Sequence, residues 1–255
     1  MAKKTIVANW KMNLSMGQAS LFLHKLQQDV SAHRDVEAVI CPSMLALQPL
    51  SLQVERRKFK LGAQNCYFRD EGAFTGEVSA AMLRNLVDYV IVGHSERRHI
   101  FGETDRIITQ KVQAVLRNNM QPILCVGETH NDRIENETLS VLHGQVSAGL
   151  ANVVSDEINQ IVIAYEPVWA IGTGEFAPVA DVAKAVDIIR KQVKAMFGSQ
   201  ASKNVRILYG GSVDSANAIT YLRTAGIDGL LVGGASLKAK VFAKIIEDAH
   251  LVASA

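Results

Sequence analysis

Eight short apolar runs recur along the chain, each closed by polar or glycine-bearing residues and most followed by an amphipathic stretch. They fall at 5–8, 36–40, 59–64, 89–92, 122–126, 161–165, 205–209 and 229–232. Within them β-branched and apolar residues follow one another without alternation, which suits strands covered on both faces. Helical spacing is clearest over 15–30, 104–118, 137–154 and 179–197. Strand–helix alternation kept up eight times argues for an α/β fold with a parallel sheet. In 255 residues eight such units fit a closed (β/α)8 barrel, with a doubly wound sheet as the competing arrangement. No linker, low-complexity tract or sequence repeat interrupts the pattern, so one domain over 1–255 is the simplest division.

Bulk properties narrow the function classes. The net charge of +2 is too small to argue for nucleic acid or an anionic membrane surface. The cysteines, Cys41, Cys66 and Cys125, are odd in number and not closely paired, so they form neither a disulfide framework nor a metal knuckle. Reduced thiols in a cytoplasmic protein are the reading that follows. The start, Met1-Ala2-Lys3-Lys4, has signal-like charge, but its apolar run breaks at Asn9 and Lys11, too soon for a signal peptide. No apolar stretch approaches membrane-spanning length, and the last residues carry no targeting tripeptide.

The strand ends carry the chemistry. The first run ends in Asn9 and Lys11, the fourth in Gly93 and His94, and the sixth in Glu166 followed by Pro167. The seventh ends in Gly210, Gly211 and Ser212, the eighth in Gly233 and Gly234. Each has an ordinary reading: a solvated lysine, a satisfied histidine, a surface carboxylate, a turn glycine. In a parallel barrel, however, all these ends lie on one rim and face one another. Glycine pairs let backbone N–H groups approach an anion, and the loops after strands seven and eight of such barrels recur as phosphate sites. His94 precedes a helix start, whose dipole disfavours imidazolium. After Glu166 comes a loop with Val168, Trp169 and Ile171 in its middle and glycine at its end, which reads as an apolar lid. Under such a lid the carboxylate is desolvated and more basic, as a general base requires. Base, donor, cation and phosphate pocket together suit proton abstraction beside a carbonyl in a small phosphorylated substrate, with no metal and no cofactor needed.

Several stretches resemble the triosephosphate isomerase family: Ala8-Asn9-Trp10-Lys11-Met12-Asn13, Gly62-Ala63-Gln64-Asn65, Gly72-Ala73-Phe74-Thr75-Gly76-Glu77 and Gly93-His94-Ser95-Glu96-Arg97-Arg98. Further blocks are Ala164-Tyr165-Glu166-Pro167-Val168-Trp169-Ala170-Ile171-Gly172-Thr173-Gly174, Tyr209-Gly210-Gly211-Ser212-Val213 and Leu231-Val232-Gly233-Gly234-Ala235-Ser236-Leu237. The resemblance spans nearly the whole chain and implies a TIM barrel that interconverts dihydroxyacetone phosphate and glyceraldehyde 3-phosphate through an enediolate. It implies Glu166 as base, neutral His94 as electrophile and Lys11 as substrate-binding cation beside Asn9. Glu96 would orient Lys11, and Gly172, Ser212, Gly233 and Gly234 would hold the phosphate. Pro167, Val168, Trp169, Ala170, Ile171, Gly172, Thr173 and Gly174 would form the lid. A homodimer is implied too, with the loop around Thr75 reaching into a second subunit.

Three positions depart from the family pattern. Leu14 stands where glycine is common, Glu175 and Phe176 follow the lid, and Asn136 occupies another usual glycine position, where asparagine tolerates left-handed backbone angles. Two other readings stay open on the residues alone. One is a barrel lyase or aldolase with Lys11 as Schiff base; the other is a non-catalytic binding protein.

Overall fold

Two separate apolar surfaces explain why the strands lack alternation. Val7, Val39, Ile91, Ile123, Val162, Leu208 and Leu231 belong to one buried cluster made of strand residues alone. Their chain neighbours Ile6, Ile40, Val90, Leu124, Ile163, Ile207 and Leu230 belong to a second, larger cluster that includes the helices. A cluster without helix residues is the interior of a barrel; the other is the layer between barrel and helices.

The computed structural model describes residues 3–255; Met1 and Ala2, the front of the charged start, lie outside the described residues. The strands are β1 (Lys4–Asn9), β2 (Val36–Cys41), β3 (Phe59–Ala63), β4 (Tyr89–Val92), β5 (Gln121–Val126), β6 (Val162–Tyr165), β7 (Arg206–Tyr209) and β8 (Gly229–Val232). They lie in chain order around a closed barrel. β1 and β8 pair in parallel through Thr5↔Gly229, Ile6↔Leu230, Val7↔Leu231 and Ala8↔Val232, which rules out the doubly wound sheet. Gly229 permits that closure: a Cβ there would lie 1.8 Å from the Thr5 carbonyl oxygen.

Outside lie α1 (Met16–Asp29), α2 (Met44–Ser51), α3 (Ala80–Leu83), α4 (Ser95–His99) and α5 (Asp105–Arg117). They are followed by α6 (His130–Ile134), α7 (Thr138–Gly149), α8 (Val179–Asn204), α9 (Ala218–Leu222) and α10 (Ala239–Ser254). Two differ from the sequence expectation. α7 stops at Gly149 rather than running to 154, because Asn152 has φ 63° and cannot extend a right-handed helix. α8 runs past 197 to Asn204, but across a break at Gly198, φ 85° and ψ 175°. No helix among the described residues is long and apolar enough to cross a membrane.

The unusual residues fall where backbone geometry is special. Leu14 takes φ 66° and Asn136 φ 60°. The left-handed region is easy for asparagine and costs a leucine about 1–2 kcal/mol, so at Leu14 the departure from glycine carries strain.

The two ends of the barrel differ in kind. At the strand starts, Arg206 donates to Glu37, Thr5 and Tyr89, each at 3.2 Å, and to Gln121 at 2.5 Å, plugging the mouth with paired polar groups. At the strand ends no such plug forms, and the chain-end residues of β1, β4, β6, β7 and β8 surround an open space.

Candidate active site

Lys11 sits just past β1 in the left-handed region, φ 52°. A lysine held there costs strain that neighbours must offset. Asn9 Oδ1 accepts the Lys11 N–H at 3.1 Å, and Gln64 donates to the Lys11 carbonyl at 2.9 Å. The ammonium donates to Glu96 Oε1 at 2.7 Å, so the cation is aimed by a carboxylate on α4.

His94 follows Gly93, whose φ of 72° turns the chain from β4 into α4. The Glu96 N–H donates to His94 Nδ1 at 3.2 Å, capping α4 and leaving Nε2 as the ring N–H of the neutral form. Glu166 leaves β6 with its own N–H on the Val126 carbonyl at 2.8 Å. Its Oε2 accepts the Ser95 N–H at 2.8 Å. Its Oε1 lies 3.0 Å from His94 Nε2, yet off the direction of the ring N–H, and is buried without a directed hydrogen bond. Both side chains are shielded, Glu166 at 2% exposure and His94 at 6%. Gly127 makes this approach possible, because a Cβ there would lie 1.7 Å from the Glu166 carbonyl oxygen.

The contact works against two sequence expectations, a more basic Glu166 and a neutral His94. Burial alone would raise the Glu166 pKa, but the His94 ring, the Ser95 N–H and Lys11 outweigh it and hold the carboxyl below its usual range. Burial alone would likewise keep His94 neutral, but the Glu166 carboxylate, with Glu96 behind it, pulls the ring above its usual value. While the two face each other, the carboxyl is thus less basic and the ring more readily protonated than burial alone would make them.

The lid folds over as a 3-10 turn, Val168–Ala170, a short element with no periodic signal in the sequence. Trp169 Nε1 donates to Glu128 Oε1 at 2.8 Å, and the Tyr165 hydroxyl donates to the same oxygen at 3.0 Å. The Arg133 guanidinium stacks 4.3 Å over the Trp169 ring. Ser212 Oγ donates to the Ala170 carbonyl at 2.9 Å. Beyond the turn, Gly172 and Gly174 take φ 76° and 81°, the angles that favour glycine in a hinge. Glu128 is the residue that sequence reasoning missed. It stands just past β5 as Glu166 stands past β6, and a uniform survey of strand ends would have found it.

A cavity of about 410 Å³ collects the expected residues: Asn9, Lys11, His94, Glu166, Gly172, Ser212, Gly233 and Gly234 all line it. Asp214, Lys238 and Phe176 line it as well, and none of these was expected there. Glu96 stands behind Lys11 outside this cavity. Thr75 is exposed on the loop between β3 and α3, away from it. A buried carboxylate oxygen without a directed donor, a ring N–H, an ammonium and glycine-rich loops thus share one open-mouthed cavity. That set can move a proton between carbons beside a carbonyl while holding a small anion.

Comparison with known proteins gives a consistent picture. A family model described as Triosephosphate isomerase matches residues 4–249. The chain is 45% identical over 252 residues to the triosephosphate isomerase of Chloroherpeton thalassium, covering 98% of this chain and 100% of the relative. It is 43% identical to that of Alkaliphilus metalliredigens, covering 96% of this chain and 99% of the relative. Against that of Carboxydothermus hydrogenoformans it is 44% identical, covering 97% and 99%.

The Glu166–His94 contact sets a pH dependence. Glu166 has a folded pKa below its unfolded value, so its contribution to stability is present above about pH 4.5 and is lost as pH falls through the folded value. The folded pKa of His94 lies above its unfolded value, so its contribution is complete below about pH 6.5 and is lost as pH rises through the folded value. In an NMR titration of the ligand-free protein, the His94 ring is expected to protonate at higher pH than a free imidazole, and Glu166→Gln to bring that value down. Equal titration in the two proteins would remove the coupling.

Proposed function

Because the chain belongs to the triosephosphate isomerase family, we propose that Glu166, His94 and Lys11 are the groups with which this isomerase interconverts dihydroxyacetone phosphate and D-glyceraldehyde 3-phosphate. These roles are the ones for which the family is the standard example; what the geometry adds is how they are switched on. The observation that carries the reading is Glu166 Oε1, a buried carboxylate oxygen with no directed donor, in one cavity with His94, Lys11 and the glycine pair 233–234.

The phosphate is held at Gly172, Ser212, Gly233 and Gly234, where backbone can approach an anion closely. Lys11 reaches the same region: a Cβ at Gly233 would lie 3.5 Å from Lys11 Cε. The substrate carbonyl oxygen then accepts from His94 Nε2 and faces the ammonium. With the ring N–H engaged by substrate, Glu166 loses the largest of the interactions that depress its pKa, and the raising effect of burial counts for more. The carboxylate takes a proton from the carbon beside the carbonyl. The C–H electron pair becomes the C=C bond of an enediolate, and the carbonyl oxygen takes the negative charge opposite His94 and Lys11. The hydroxyl proton on the first carbon passes to the former carbonyl oxygen by way of His94 Nε2, and return of the carbon-bound proton from Glu166 to the neighbouring carbon completes the isomerisation. Closure of 167–174 excludes water and limits loss of phosphate from the intermediate. Glu175 and Phe176 follow directly after that segment, so they bear on its movement rather than on the chemistry.

The same reading treats residues 1–255 as one cytoplasmic barrel domain that works as a homodimer. Three buried free cysteines, Cys66 with its thiol pushed up by burial to about 12, suit a reducing compartment. A second hollow of about 350 Å³ adjoins Asn9 and Lys11 and is edged by Met12 and Phe101. Those two side chains are 96% and 65% exposed, apolar surface that a neighbour would cover. The protruding loop around Thr75 of a second copy is the proposed occupant.

Replacing Glu166 by Asp withdraws the carboxylate by one methylene, a misplacement that costs about 10²-fold or more in kcat, with folding unchanged by circular dichroism. Full turnover in that variant would defeat the base assignment. For the dimer, sedimentation at micromolar concentration should give twice the 27.8 kDa chain mass; a species of single-chain mass would contradict it.

A further inference from the structure

We propose that the end of the barrel opposite the catalytic cavity binds a divalent transition-metal ion of the zinc class, held by His33, Asp35 and His250. The three residues come from two distant parts of the chain. His33 and Asp35 lie between α1 and β2, immediately before Val36. His250 lies near the end of α10. α10 packs back along β1 and β2 after leaving the far rim, so its last turns stand at the strand starts.

One ligand atom from each of the three lies within 4.8 Å of the other two, the single such group among the described residues. His250 Nδ1 is 2.9 Å from both Asp35 carboxylate oxygens. The His33 and His250 rings stack with centroids 4.1 Å apart and an interplanar angle of 18°. His33 Nε2 lies 2.8 Å from Glu247 Oε1, one turn before His250 on α10.

Two features favour a metal ion over a plain ion pair. The donor set, two imidazoles and one carboxylate, is the nitrogen–oxygen combination that zinc-class ions take, with water completing the coordination. Glu247 on Nε2 is the arrangement that orients a ligating histidine: a carboxylate holds one ring N–H, and the other nitrogen, Nδ1, carries the lone pair. The rings as they stand lie face to face, so binding turns them apart until each aims an in-plane lone pair at the shared ion. All three side chains are only partly buried, so the ion has a route in.

Such a site would fasten the C-terminal helix to the start of β2. Binding by the folded chain alone stabilises it by mass action, and the catalytic rim is untouched. The test uses the full chain, stripped with a chelator and desalted. Zinc chloride is titrated by calorimetry, thermal unfolding is followed with and without zinc, and cobalt(II) serves as a spectroscopic probe of the ligand set.

The expected result is one zinc per chain at micromolar affinity or tighter, a higher melting temperature with zinc, and visible cobalt bands. His33→Asn and His250→Asn should each abolish binding, and Glu247→Ala should weaken it about 10–100-fold. All three variants should keep kcat and KM in metal-free buffer and a native circular dichroism spectrum. Absence of binding at millimolar zinc would overturn the proposal. So would zinc binding that survives unchanged in His33→Asn and His250→Asn, since the ion would then sit elsewhere, as at His94 and Glu166.

Discussion

Parallel pairing of β1 with β8 is the constraint on which everything else depends. It removes the last sheet edge, and it forces every strand to end on the same rim. Residues far apart in sequence, Lys11, His94, Glu166 and Gly233, meet there for no other reason. Closure also decides what fills the barrel. Interior positions carry Val7, Val39, Ile91 and their partners, so the scaffold is rigid, and the starting rim is sealed by the Arg206 network. Rigidity below leaves the ending rim as the place where polar groups can remain unpaired.

On that rim one contact sets the electrostatics of the proposed base and electrophile. Glu166 and His94 are each made less fit for their task by facing the other: the carboxyl is less basic and the ring less neutral. The Ser95 N–H reinforces this by holding Oε2. In the proposed mechanism, a substrate carbonyl that takes the ring N–H loosens this arrangement when the base is needed. Burial, which these groups together outweigh in the free protein, is then opposed only by what remains of the Ser95 N–H and Lys11. The lid fits the same logic, since Glu128 and Ser212 hold its turn through Trp169 and Ala170. Those bonds must be exchanged if the segment is to close further.

What could be read beforehand followed from local rules. The runs at 89–92 and 229–232 match β4 and β8 residue for residue, because buried parallel strands are continuous apolar stretches bounded by turn residues. Membership of the cavity was legible for Asn9, Lys11, His94, Glu166, Ser212 and Gly233, because strand direction alone sends them to one rim. Pairwise geometry was not. The dipole argument for neutral His94 and the burial argument for basic Glu166 each considered one residue. Their mutual contact depends on Gly127 letting β5 and β6 approach, and a lone glycine carries no such message. Glu128 escaped notice for a similar reason: its value lies in reaching Trp169 and Tyr165, a tertiary relation with no sequence period. The His33–Asp35–His250 group joins positions more than two hundred residues apart and was invisible for the same cause.

The central claim is that Glu166 is restrained by Ser95 and His94 until a ligand oxygen displaces it. A crystal structure with a phosphorylated enediolate mimic in the cavity tests this most directly. The account predicts the Glu166 carboxylate off the Ser95 N–H and against the ligand carbons, with His94 Nε2 donating to a ligand oxygen. A bound mimic with Glu166 still on Ser95, 3.0 Å from His94 as in the free protein, would contradict it.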